Sequence, residues 1–122
     1  MKLTLCVSGR LRESPELSLV QNYKERSEKI GRLINLSSIH ILEYDGVKWM
    51  RFLKTIGSKK SVSSKIHKVL LDETGKTFSS RELAEKLRVH RDDGTSELVF
   101  FIGGADGIPN SSKENFDEII SF

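Results

Sequence analysis

Five apolar residues, Leu98-Val99-Phe100-Phe101-Ile102, run without a polar break into Gly103-Gly104-Ala105-Asp106-Gly107. That junction limits the choice of fold more than any other stretch of the chain. A continuous apolar run of strand length suits a strand covered on both faces, as in a parallel sheet flanked by helices. The glycines then mark a strand end where the backbone turns sharply or comes close to a ligand.

The rest of the chain supplies partners for such a strand. Leu3–Val7 reads as a first strand. A helix follows, with Ser14 suited to the N-cap, Pro15 to the first helical position and Gly31 to the end. Leu17, Val20 and Tyr23 recur at threes and predict its apolar stripe. Ile39–Tyr44 reads as a second strand. Val47, Met50, Leu53 and Ile56 then predict a short helix stopping at Gly57, with a polar, basic mobile loop over Gly57–Ser64. Ile66–Leu71 is a third strand, followed by a turn at Asp72–Lys76. Ser79 and Glu82 form a capping box for a helix reaching about His90. Ser111 and Glu114 predict a second capping box, and Glu118–Phe122 a last strand. Strands alternating with helices imply α/β architecture: a mostly parallel sheet with flanking helices. Ligands of such sheets bind beyond the carboxyl ends of the strands. Asp72–Lys76 and Gly103–Gly107 both fall there.

Length and composition agree with one globular domain spanning residues 1–122. No apolar run is long enough to span a bilayer. Met1-Lys2-Leu3-Thr4-Leu5 turns polar by Ser8, unlike a secretory signal, so the expected location is the cytoplasm. The one cysteine, Cys6, lies in an apolar strand and reads as an inert core thiol. Net charge is +3, unevenly spread. Residues 1–60 hold 12 Lys and Arg against 6 Asp and Glu, whereas residues 61–122 hold 8 against 11. The basic half suits an anionic partner such as RNA, or simply solvates its helices.

Each motif has a chemical reading and a plainer one. Gly103–Gly107 matches neither the dinucleotide fingerprint nor a P-loop. It serves as a ligand loop or as a tight strand-to-helix turn. Asp72 suits a ribose hydroxyl or a local cap at Gly75. His40, His67 and His90 lie far apart along the chain without metal-ligand spacing, so no metal is expected. Tyr44, Trp49 and Phe52 follow the helical period and read as core rather than as a base-stacking platform. Lys54, Lys59, Lys60 and Lys65 are weak candidates for phosphate contacts in RNA.

Taken together, several segments resemble one family. They are Met1-Lys2-Leu3 with Gly9, Tyr23-Lys24-Glu25-Arg26, Leu70-Leu71-Asp72-Glu73-Thr74-Gly75-Lys76, Ser79-Ser80 and Phe101-Ile102-Gly103-Gly104-Ala105-Asp106-Gly107. In these residues the chain resembles the RlmH family of SPOUT methyltransferases, which methylate N3 of a pseudouridine in 23S ribosomal RNA of the large subunit. The resemblance implies a SPOUT-like α/β trefoil-knot fold, a homodimer with a shared active site, no membrane association and S-adenosyl-L-methionine as methyl donor. It places Leu71, Gly103 and Gly104 as cofactor contacts, with Gly107 shaping the loop. The family's third cofactor segment would start at Phe122. Beyond that point the family continues with a loop, a Pro-His element, a long helix and a Tyr-His end. By this resemblance the knot is incomplete within residues 1–122, and the expectation is that these residues alone fold but do not methylate. A truncated, non-catalytic RNA- or protein-binding module is the alternative. Methyl transfer from a sulfonium is an in-line displacement governed by positioning, and loss of the N3 proton needs a base or a charge-stabilising group. Asp106 is the one residue weighed as base, but it reads better as a loop former, and the catalytic residue is unknown.

Overall fold

A computed structural model describes residues 1–9, 13–36, 38–45, 47–52, 65–104 and 107–122. Lys54, Lys59, Lys60, Asp106, the basic loop and the second half of the helix predicted after Val47 lie outside the described residues.

Five strands form one sheet in the order β2-β1-β4-β3-β5, and every pairing is parallel. They are β1 (Lys2–Ser8), β2 (Ser38–Tyr44), β3 (Ile66–Thr77), β4 (Glu97–Ile102) and β5 (Glu118–Ser121). The helices are α1 (Pro15–Gly31), α2 (helical over 47–52), α3 (Ser80–Asp92) and the single turn α4 (Asn110–Lys113). The apolar run that most constrained the fold is β4, held between β1 and β3, and Leu98–Phe101 are all buried.

Alternation along the strands divides the core between the two faces of the sheet. Val69, Leu98, Phe100 and Ile120 point to one face, where Phe78, Leu83 and Leu87 of the α3 region cover them. Cys6, Leu70, Val99 and Phe101 point to the other, packed with Trp49, Ile108, Tyr44, Phe52 and Phe116. The aromatic group near α2 is therefore core, as its period predicted: Trp49 is buried and Phe52 stacks on Tyr44 at 4.4 Å.

Helix starts follow local chemistry. The Ser14 side chain accepts from the Leu17 backbone N–H at 3.2 Å with Pro15 in the first turn, as expected. Ser79 accepts from the Glu82 N–H at 3.1 Å. Three expectations fail. Tyr23 is no part of a buried stripe: it is exposed, as are Leu19 and Ile30, because α1 lies at the β2 edge and little of it is covered. Ser111 is not an N-cap, because Pro109 holds an extended backbone and α4 begins at Asn110, leaving Glu114 at the other end as C-cap. Asp72–Lys76 is not a turn outside the sheet. β3 continues to Thr77 with a register shift between Leu71 and Lys76, where it re-pairs with Ile120 of β5.

Gly75 explains that shift. A Cβ at this position would stand 2.7 Å from backbone atoms of Ile119 and Ile120. Only a residue without a side chain lets β3 run backbone against backbone past β5.

Candidate functional site

β3 and β4 are neighbours, and β4 ends at Ile102 opposite Leu71, where the regular pairing of β3 breaks off. The connection from β4 to β5 starts at Gly103 and crosses the end of β3 to reach β5 on its far side. A cavity of about 380 Å³ lies between that connection and the strand ends. Leu71, Asp72, Glu73 and Thr74 line it from β3. Ile102, Gly103, Gly104, Gly107, Ile108 and Lys113 line it from the other side. This is the carboxyl end of a parallel sheet, where α/β folds hold their ligands.

The three glycines differ in what they do. Gly107 has a φ of +71°, and a Cβ there would meet nothing within 4 Å, so its role is conformational. Its N–H donates to the Gly104 carbonyl at 2.9 Å and closes the turn. Gly104 is exposed, with only the Ser8 hydroxyl near a would-be Cβ, at 3.6 Å. Gly103 is tight: a Cβ would meet Ile108 Cγ1 at 3.1 Å. Bare backbone at 103 and 104 therefore faces the cavity beside the apolar side chains of Leu71, Ile102 and Ile108.

One charged pair spans the cavity wall. Lys113 Nζ lies 3.1 Å from Asp72 Oδ2, tying the β4–β5 connection to the end of β3. Asp72 also accepts from the Thr74 N–H at 3.2 Å and from the Thr74 hydroxyl. The Thr74 hydroxyl first, and the Lys113 ammonium second, hold the Asp72 carboxyl below the usual carboxylate range. Asp72 thus makes a local cap of the kind its position suggested, with Thr74 as the donor.

The fold brings Leu71, Gly103 and Gly104 onto one cavity. Phe122 does not join them: it is 69% exposed and absent from the lining. It follows the last residue of β5, an edge strand. Lys65 is exposed and its carbonyl accepts from the Ser96 N–H at 2.8 Å, at the amino ends of the strands. Lys113, Ile108 and Thr74 were not anticipated. A lysine inside a short polar helix carries no signal, because its importance lies in a partner 41 positions earlier in the chain.

The methyltransferase resemblance read from the strand-end motifs extends over the whole chain. A family model described as "predicted SPOUT methyltransferase" matches residues 1–122. The chain belongs to the SPOUT methyltransferase family. Among SPOUT relatives, the ribosomal RNA large subunit methyltransferase H of Dinoroseobacter shibae is 36% identical over 130 residues, covering all of this chain and 79% of the relative. The protein of the same name from Cereibacter sphaeroides is 38% identical over 123 residues, with the same coverage. That of Maricaulis maris is 36% identical over 127 residues, again covering 79% of the relative. Among the described residues of this SPOUT member, no helix is long and apolar enough to cross a membrane.

Proposed function

We propose that this protein is an S-adenosyl-L-methionine-dependent methyltransferase acting on N3 of a pseudouridine in large-subunit ribosomal RNA. The observation that carries this reading is the cavity where the ends of β3 and β4 meet the Gly103–Gly104 backbone. The positions the family resemblance assigns to the donor, Leu71, Gly103 and Gly104, face one another across it. The lining suits that donor, with apolar side chains for a flat base, bare backbone for close hydrogen bonds, and Asp72 and Thr74 for hydroxyls. S-adenosylmethionine supplies an electrophilic methyl on a sulfonium. The chain's own residues hold and shield that group: Ile108 and Leu71 exclude water, and the Lys113–Asp72 pair keeps the two walls together. Asp72 is committed to Thr74 and Lys113, so it orients rather than takes the N3 proton. The RNA partner accords with the basic first half of the chain, including Lys54, Lys59 and Lys60, with Lys65 just beyond it. A homodimer belongs to the same proposal.

Calorimetry with S-adenosylmethionine is the first test, paired with transfer of a labelled methyl group to ribosomes lacking the modification. Saturable donor binding and one labelled pseudouridine are expected, and absence of both rejects the reading. Gly103→Val is expected to weaken donor binding at least tenfold, since even a Cβ crowds Ile108 and a branched side chain must also fill cavity space. Unchanged affinity removes Gly103 from the site. Reversing Lys59 and Lys60 to Glu is expected to weaken ribosome binding and flatten its salt dependence. An unaltered salt slope discharges both lysines from phosphate contact.

A further inference from the structure

We propose that His67, His90 and Glu118 form a site for a divalent transition-metal ion of the zinc class, at the end of the sheet opposite the donor cavity. One ligand atom from each residue lies within 4.8 Å of the other two. Residues far apart along the chain, without metal-ligand spacing, are brought together here by the fold. His67 stands at the start of β3, His90 in the last turn of α3 and Glu118 at the first residue of β5.

One edge of the cluster already has the length found in a bound site. His67 Nε2 and Glu118 Oε2 are 3.2 Å apart, near the ~3.3 Å edge of a tetrahedron with bonds of about 2.0 Å. The His67 and His90 rings lie 4.3 Å apart, centroid to centroid. His90 Nδ1 is hydrogen-bonded to Thr95 Oγ1 at 3.1 Å; with Nε2 as the ligating atom, this is the kind of outer contact that orients a metal-bound imidazole. Lys86 occupies Oε1 of Glu118, while Oε2 faces His67. Two imidazoles and one carboxylate suit zinc better than magnesium or calcium, and three protein ligands leave a fourth position for water. The ion would join β3, α3 and β5 about 13 Å along β3 from Leu71. The proposal does not depend on the methyl-transfer reading.

The test is calorimetric titration of chelator-treated protein with Zn²⁺, and visible absorption with Co²⁺. One ion per chain is expected. His67→Gln and His90→Gln should abolish the binding and the cobalt spectrum while leaving circular dichroism and S-adenosylmethionine affinity unchanged. Thr95→Val should weaken binding about 10–100-fold, as loss of an orienting partner does. Lys86→Met should tighten it by removing a competing cation from Glu118. If a histidine variant fails to fold, the opposite shifts in Thr95→Val and Lys86→Met still decide the matter. No binding by the parent protein overturns the proposal. Equal binding in the His67→Gln, His90→Gln double variant also overturns it, since the ion then sits elsewhere.

Discussion

Cys6 shows how one side chain is set by its surroundings. It is 1% exposed, and burial first, then the Glu97 carboxylate, push its thiol up to about 11. A thiol that remains protonated at neutral pH is a poor nucleophile. Native protein at pH 8 should therefore resist alkylation by iodoacetamide, while urea-unfolded protein should react at once, with mass spectrometry as the readout. The same shift has a consequence for stability. The unfolded thiol, with an ordinary value of 9.0, loses its proton first as pH rises. The stabilising contribution is complete below that value and is lost as pH climbs toward about 11. Urea midpoints for the parent should fall relative to Cys6→Ala between pH 9 and 11, and parallel curves would contradict the assignment.

At the scale of elements, two junctions decide how the sheet edge and its helix are held. Gly75 lets β3 pass within contact distance of the β5 backbone. Gly75→Ala places a methyl group 2.7 Å from three backbone atoms that cannot rotate away. The cost expected for such overpacking is about 1–3 kcal/mol, read as a lowered denaturant midpoint. A neutral substitution would mean that β5 moves freely. Ser79 tests the other junction. It caps α3 through the Glu82 N–H, and Ser79→Ala should cost about 1 kcal/mol while leaving donor binding unchanged. The Ser111 position provides the contrast: α4 has no side-chain cap, so Ser111→Ala should have little effect on the same measurement.

Across the whole molecule, stability follows coverage. β4 sits between two parallel neighbours with both faces buried, whereas α1 leaves Leu19, Tyr23 and Ile30 exposed. Hydrogen exchange should therefore be slowest for the amides of Leu98–Phe101 and markedly faster through α1, since opening free energy tracks buried contacts. Equal protection in α1 and β4 would show that α1 is covered in solution, which the proposed homodimer would explain.

Much of the fold is legible in the chain because it depends on near neighbours in sequence. The apolar run before Gly103 gives a buried parallel strand, and Ser14-Pro15 and Ser79–Glu82 give helix starts, since caps act within one turn. The strand-end glycines mark the cavity for the same local reason: backbone freedom is a property of the residue itself. Tertiary structure alone decides the rest. Order in the sheet, the passage of Gly75 against β5, the Asp72–Lys113 pair and the meeting of His67, His90 and Glu118 all join residues that are distant in sequence. Phe122 falls on the same side of that divide. Its place just past β5, an edge strand, follows from the order of the sheet, which no local pattern of residues encodes.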